Sequence, residues 1–257
     1  MNLAGNWVAY CTIVRKEVRR FTRIWVQTLI PPVITMWLYF VIFGQLIGSR
    51  IGHMNGFDYM SFVAPGLIMM SIINSSYSNV VSSFFSAKFN KSIEELQVSP
   101  TPNVVILLGY VTGGVLRGLS VGFIVTLVSL LYTRLSLHHV GMTVLVVALT
   151  SALFSLAGFI NAFFANSFDD ISIVPTFLLT PLTYLGGVFY SISLLPEFWQ
   201  KVSLINPILH MVNAFRYGIL GVSDIHIGTA LMLMALFVVV LYFFSYRLLV
   251  RGTGLRQ

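Results

Sequence analysis

The sequence predicts an all-α, polytopic membrane protein with six transmembrane helices. Three observations predict it. Only 9% of the 257 residues are charged and 57% are hydrophobic, whereas a soluble domain carries roughly a quarter charged residues because its solvated surface must be polar. Mean hydropathy is +0.88. Several stretches stay apolar for about twenty residues, the length that crosses a hydrocarbon layer of roughly 30 Å at about 1.5 Å rise per residue. Net charge is +7, from 15 Lys plus Arg and 8 Asp plus Glu. In a membrane chain such an excess sets topology, so no nucleic-acid partner is expected.

Residues 1–23 read as an N-terminal amphipathic interfacial helix. From residue 7 to 25, Trp7, Cys11, Val14, Val18, Phe21 and Trp25 share a stripe roughly 80° wide, with Arg15, Lys16, Arg19, Arg20 and Arg23 on the opposite side. A basic face opposite an apolar one suits an anionic leaflet, so membrane lipid is an expected partner. A calmodulin-type target helix has the same pattern, but the position directly before a spanning segment favours the membrane. These residues never form a short apolar core with a cleavage site, so the first span is expected to act as its own insertion signal. Cys11 is the single cysteine and cannot form an internal disulfide.

The six-helix transmembrane domain covers 24–250, with spans at about 24–47, 59–84, 104–132, 142–164, 171–190 and 228–250. Pro31 and Pro32 predict a bend or late start near Pro31 in the first. A short polar loop with Gly48, Arg50, His53, Asn55 and Asp58 follows. In the second span Asn74, Ser75, Ser76 and Asn79 cannot face lipid cheaply and are expected to face other helices or a conduit. Residues 85–99 then form a short amphipathic helix: Phe85, Phe89, Ile93 and Leu96 share one face, Lys88, Lys91, Glu94 and Glu95 lie elsewhere, and Pro100 and Pro102 end the pattern. Ser92 and Glu95 also fit a capping box, which would start the helix later, so two boundaries remain open.

The third span carries Gly114, Gly118 and Gly122 at four-residue spacing, with Gly109 and Gly113 as a second pair, which predicts close helix packing in lipid. Arg117 sits among them as an intramembrane charge that must snorkel, pair or face water. Between the fourth and fifth spans Asp169 and Asp170 could hold a metal or act as an acid–base dyad. Their position before a helix N-terminus gives the simpler reading, complementing its amides and dipole. The fifth span contains Pro175, Pro181 and Gly186-Gly187 and is the least regular. Residues 195–220 are too short to cross as two pieces split by Asn206-Pro207, so outer re-entrant or interfacial helices are expected, with Tyr190, Phe198, Trp199 and Tyr217 at headgroup level.

Charge orients the chain. With both termini in the cytoplasm, ten of the 15 basic residues lie inside: Arg15, Lys16, Arg19, Arg20, Arg23, Lys88, Lys91, Arg247, Arg251 and Arg256. Arg50, Arg134, Lys201 and Arg216 fall on the outer side. The sequence contains no phosphate-cradling G-x-x-x-x-G-K-[ST] loop, no G-x-G-x-x-G after a strand and no G-x-S-x-G elbow. His138-His139 lacks the Cys or Glu neighbours of a zinc site. No catalytic residue, cofactor or metal is expected, and the chain is read as a non-enzyme.

Two stretches carry a family resemblance: KSIEELQVSPTP at 91–102, and PTFLLTPLTYLGGVFYSISLLPEFWQ at 175–200 continuing into LINPILHMVNAFRYGILG at 204–221. With them the whole chain resembles the type-2 family of ATP-binding-cassette exporter permeases, of the kind encoded apart from its ATPase. The resemblance implies a multi-pass protein of the bacterial inner (cytoplasmic) membrane, a permease homodimer and two copies of a cytoplasmic ATPase. It makes 85–99 the cytoplasmic coupling helix, with Phe89, Ile93, Glu94, Glu95 and Leu96 as coupling residues, and 7–25 the interfacial connecting helix. Many members carry a Ser-Gly pair before the first re-entrant helix, where this chain reads Gly186-Gly187-Val188-Phe189-Tyr190-Ser191, a departure that bears on the outer gate. The rival readings are an ion-coupled secondary transporter, which would be expected to carry acids within its spans, and a non-transporting membrane scaffold.

Overall fold

The computed structural model describes residues 3–48, 50 and 52–252; residues 1 and 2 of the N-terminal segment and Arg256 lie outside the described residues. Helix α1 (Leu3–Arg23) is followed at once by α2 (Trp25–Tyr39), which continues as π-helix over Phe40–Gly48. The helix starts at Trp25, so the late start near Pro31 is not the one observed. Helix α2 passes through Pro31 and Pro32, and the winding changes more than two turns later, at Phe40. At the junction the Thr28 hydroxyl donates to the Ile24 carbonyl at 3.1 Å.

The loop that follows is a two-stranded hairpin, β1 (His53–Met54) and β2 (Phe57–Asp58), paired antiparallel. Its turn is Asn55-Gly56, with φ of 51° and 81°. That dipeptide accepts the left-handed conformation a two-residue hairpin requires, and the sequence signal was there to be read.

Helix α3 (Tyr59–Phe89) is the hub. Over its most apolar stretch 78% is buried, against 17% for α2 and 11% for the last helix. It ends at Asn90 and Lys91, the latter at φ 58°, and α4 (Ser92–Val98) begins. The later of the two boundaries is therefore the observed one, but not through a capping box. Lys91 is the cap residue, and the Ser92 hydroxyl, already inside the helix, donates to the Ala87 carbonyl at 3.2 Å.

Helices α5 (Asn103–Leu130) and α6 (Val140–Phe164) pack on α3 and on each other. Between α6 and the next segment the two aspartates have different roles. Ser167 accepts a hydrogen bond from the Asp170 amide at 3.2 Å, and the Asp170 carboxylate accepts from the Asn166 and Ser167 amides at 2.8 and 3.1 Å. That is a reciprocal capping box. The Asn166 amide, with help from Ser167, holds the Asp170 carboxyl below the usual aspartate range.

In the stretch read as one span over 171–190 the chain is helical from Asp170 to Tyr184 with two changes of winding: α7 (Asp170–Ile173), a π-helical turn Val174–Leu179, and α8 (Thr180–Tyr184). Pro175 and Pro181 remove two amide donors, and the Thr180 hydroxyl caps the Pro175 carbonyl at 2.9 Å. A 3-10 turn at Ile192–Leu194 leads to α9 (Glu197–Ile205) and α10 (Pro207–Leu220). As the sequence predicts, Asn206 caps α10, its Oδ1 accepting from the Ile208 amide at 3.0 Å with Pro207 in the first turn. Helix α10 packs among α3, α6 and α11 (Ile227–Arg251). Among the described residues five helices are long and apolar enough to cross a membrane: α2 with its π-helical continuation, α3, α5, α6 and α11. The molecule is an all-α polytopic membrane protein.

Candidate functional site

Helix α3 runs from the β-hairpin end of the bundle to the α4 end, and functional groups collect at both. At the α4 end, α3 emerges with Phe89 exposed while Phe85 is buried. Both rings meet Phe168 from the α6–α7 turn, at centroid distances of 5.2 and 4.9 Å. Lys88 donates to the Phe163 and Ala165 carbonyls at 2.7 and 2.8 Å, which satisfies the last turn of α6 with a cation where the helix dipole is negative. Between these groups and Glu94 lies a cavity of about 170 Å³.

The expected coupling residues do not share one surface. Ile93 is fully buried and belongs to the bundle core, Leu96 is half-buried against it, and Glu94 is half-buried at the cavity. Phe89 and Glu95 are exposed, as is Val98. The amphipathic stripe through Phe85, Phe89, Ile93 and Leu96 is interrupted because Lys91 turns the chain between the second and third of them.

Helix α1 has three faces, not two. Trp7 and Val8 are exposed on the apolar side, and Arg15, Lys16, Arg19 and Arg23 are exposed on the basic side. The third face carries Ile13, Glu17 and Phe21, all buried against the bundle. Glu17 is completely enclosed. Its carboxylate accepts from the Ser83 hydroxyl at 2.5 Å and from the Asn79 side-chain amide at 3.4 Å, and Arg20 lies 3.6 Å away. Arg20 in turn donates to the Asn79 carbonyl and Oδ1 at 2.7 and 2.9 Å and to Ser82 at 3.2 Å. A charge so placed is tolerable only because every neighbour is a donor or a counter-charge. Room for it comes from α5: a Cβ on Gly113 would stand 2.5 Å from the Glu17 Cβ, and one on Gly109 2.6 Å from Ile13.

The other face of α5 meets α3 and α6. A Cβ on Gly114 would fall 2.7 Å from Val80, one on Gly118 2.6 Å from the Ser151 hydroxyl, and one on Gly122 2.8 Å from Ile72. In lipid, where helices gain little from hydrophobic burial, such contact supplies the association energy. Ser76, Ser151 and Ser155 are fully buried with no conventional partner among the described residues. Ser76 and Ser151 stand where a Cβ on Gly118 would be, and Ser155 where one on Gly114 would be. Arg117 is half-buried in mid-helix, within electrostatic range of Arg20, and its Nε has no hydrogen-bond partner among the described residues.

Along the flank of α3 that faces α2 lies an open cleft of about 180 Å³, lined by Pro31, Thr35, Tyr39, Met70, Ser71 and Asn74 among others. Asn74 is exposed there, while Ser75, Ser76 and Asn79 from the same polar run are buried.

At the hairpin end, Arg216 of α10, which the charge count places among the outer basic residues, is fully buried. It donates to the Gly187, Phe62 and Asn213 oxygens at 2.7, 3.3 and 3.4 Å, its guanidinium sits 3.9 Å from the Phe62 ring centre, and Asp224 lies at 4.0 Å. Nothing in the local sequence marks it, because apart from Asn213 on the same helix its partners come from other segments, at Phe62, Gly187 and Asp224.

A family model described as ABC-2 type transporter matches residues 8–220. The inner membrane transport permease YadH of Escherichia coli (strain K12) is 58% identical over 251 residues, 98% of this chain and 98% of that protein, and the protein of the same name from Shigella flexneri matches to the same extent. Nodulation protein J of Rhizobium meliloti (strain 1021) is 24% identical over 252 residues, covering 96% of this chain and 93% of that one. The chain belongs to the ABC-2 type transporter family, as a multi-pass inner-membrane permease subunit of an export system whose ATP is hydrolysed by a separate partner.

Proposed function

We propose that two copies of this permease associate and receive two cytoplasmic ATPase subunits at their α4 ends, with substrate passing between the permease chains. In this reading both termini are cytoplasmic, residues 171–190 provide a sixth, broken crossing, α9 and α10 are re-entrant from the outer side, and α1 is the interfacial connecting helix. Residues 85–99 are the coupling element. Phe89, Glu95 and the open edge of Glu94 make the contact, while Ile93 and Leu96 act from behind by fixing α4 to the bundle.

The observation that carries this reading is mechanical. Helix α4 follows directly from α3, the most buried of the five long apolar helices, and is anchored to the bundle by a completely enclosed Ile93 while Phe89, Glu95 and Val98 stay exposed. A push on α4 is therefore delivered to the element that touches α5, α6 and α10. Close-packed interfaces such as the one through Gly114, Gly118 and Gly122 move as units because packed side chains have few intermediate arrangements. The half-buried Arg117 lies in that path. The cleft beside Tyr39, Met70 and Asn74 combines an apolar wall with a few amides and hydroxyls, a lining suited to an amphipathic cargo.

The Glu94→Lys/Glu95→Lys double variant tests the assignment. It should insert and fold normally, since neither carboxylate is buried, yet lower permease-stimulated ATP hydrolysis by about tenfold through misplaced charge at the contact. Unchanged stimulation by the double variant would place the coupling contact elsewhere.

A further inference from the structure

The segment 186–194 is held down from several directions at the hairpin end: the Phe189 ring packs 5.2 Å from Phe43 and 5.5 Å from Tyr39, and the remaining holds are polar or steric. Gly187, at φ 68°, turns its carbonyl to Arg216, which donates to it at 2.7 Å. Val188 is fully buried against α3: a Cβ on Gly66 would stand 2.6 Å from its carbonyl oxygen. The Tyr59 hydroxyl donates to the Phe189 carbonyl at 3.2 Å. The Asp224 carboxylate then collects the far end, accepting from the Ser191 hydroxyl at 2.7 Å and the Ile192 amide at 3.1 Å, and from Asn55 at the hairpin tip at 3.2 Å. Asn213 joins both sides, accepting from Arg216 and from the Asp224 amide at 3.4 and 3.0 Å.

Two features separate this network from ordinary loop packing. Arg216 is entirely enclosed, yet its nearest carboxylate is only at the 4.0 Å limit of an ion pair. Most of its hydrogen bonding goes to backbone carbonyls of α3 and of the 186–194 segment. A buried cation that spends its donors on carbonyls of two different elements, and a carboxylate that gathers a hairpin, a 3-10 turn and a helix end, form a joint that a rigid-body shift of α10 would break in one step. Charged hydrogen bonds of this sort are the stronger class and are costly to leave half-made.

We propose that Arg216 and Asp224 are the latch that keeps segment 186–194 shut against α3 in the resting permease, and that export requires this latch to open. Asp224 works through the segment it holds, as a positioning residue, and has no contact with cargo. The direction of the opening rests on the topology proposed above, in which this end faces outward.

The test uses the permease assembled with its ATPase in proteoliposomes, in a Cys11→Ser background, with a membrane-impermeant maleimide added to either face in turn. A cysteine in place of the enclosed Val188 should react slowly, and Asp224→Asn should speed that reaction by at least about tenfold, the change in opening expected when a charged acceptor with several donors is lost. A cysteine in place of the equally enclosed Ala162, at the other end of the bundle, should react no faster. An unchanged rate at Val188→Cys would overturn the latch. So would an equal rise at Ala162→Cys, which would mean general loosening. Lys201→Cys, exposed on α9, reports sidedness separately: its labelling from the ATPase face would overturn the topology, while Val188→Cys still decides the latch. As a second approach, the Ser191→Cys/Asp224→Cys pair, cross-linked by an oxidant, should lower ATP hydrolysis by the complex about tenfold and recover on reduction; full-rate hydrolysis by a fully cross-linked complex would also overturn it.

Discussion

Replacing Glu17 with alanine is expected to detach α1 from the bundle and to cost about 2 kcal/mol or more. The carboxylate is the shared acceptor of Ser83, Asn79 and Arg20, and none of its atoms reaches solvent. Its loss leaves the Ser83 hydroxyl without its acceptor beside a cavity. Arg20 keeps its bonds to Asn79 and Ser82 and is partly exposed, which limits the loss. Glu17→Gln preserves the shape and part of the hydrogen bonding and should cost about half as much. Lys16→Ala, one residue away on the exposed face, should lie within about 0.5 kcal/mol of wild type. Amide exchange in detergent resolves these cases: in Glu17→Ala, α1 should exchange rapidly while α6 keeps its protection. Uniform protection in that variant would show that the enclosed carboxylate does not hold α1.

Gly118→Leu is expected to be the most damaging change in the spanning region. Its Cα lies in a gap closed on one side by Ser76 of α3 and on the other by Ser151 of α6, both fully buried, so a leucine has no exit. Overpacking a core usually costs about 1–3 kcal/mol; here two helices must separate, and the upper end or beyond is expected. Gly141→Ala is the matched control. Nothing lies within 4 Å of a Cβ at that position, and the better helix propensity should leave stability unchanged or raise it by about 0.5 kcal/mol. Thermal unfolding of the two variants side by side separates loss of close packing from loss of a glycine as such. If Gly118→Leu melted with wild type, the α3–α5–α6 contact would not carry the bundle.

The parts legible in the sequence were those that depend on local pattern. Apolar runs located α2, α3, α5, α6 and α11, and Asn206-Pro207 marked the boundary between α9 and α10. Where two local rules competed, the sequence could not choose. Ser92-x-x-Glu95 and Ser167-x-x-Asp170 both fit a capping box, but only the second forms, because Lys91 already occupies the cap position of α4. In α2 the helix starts at Trp25, ahead of Pro31, and the winding changes only at Phe40. In the stretch that carries Pro175 and Pro181 the helical winding changes twice, at Val174 and at Thr180.

The polar centres were the least legible, for a common reason. Nothing in the sequence sets Glu17 apart among the basic residues of an amphipathic helix, and only the distant Asn79, Ser83 and Gly113 reveal that it is enclosed. Arg216 reads only as one of the outer-side basic residues until Gly187, Phe62 and Asp224 are brought around it. A buried charge is defined by its partners, and in both cases these come from elsewhere in the chain. The glycine stripe of α5 was visible as spacing, but the serines that face it were not.

The central claim, that this permease transmits force from a separate ATPase through α4, is tested most directly by purifying the tagged chain in mild detergent with its co-purifying subunits, counting copies and assaying ATP hydrolysis in the same sample. The account predicts one ATPase chain per permease chain, in a complex that Glu94→Lys/Glu95→Lys uncouples or dissociates. A preserved permease assembly that carries no ATPase, or one whose hydrolysis ignores the charge reversal, would contradict it.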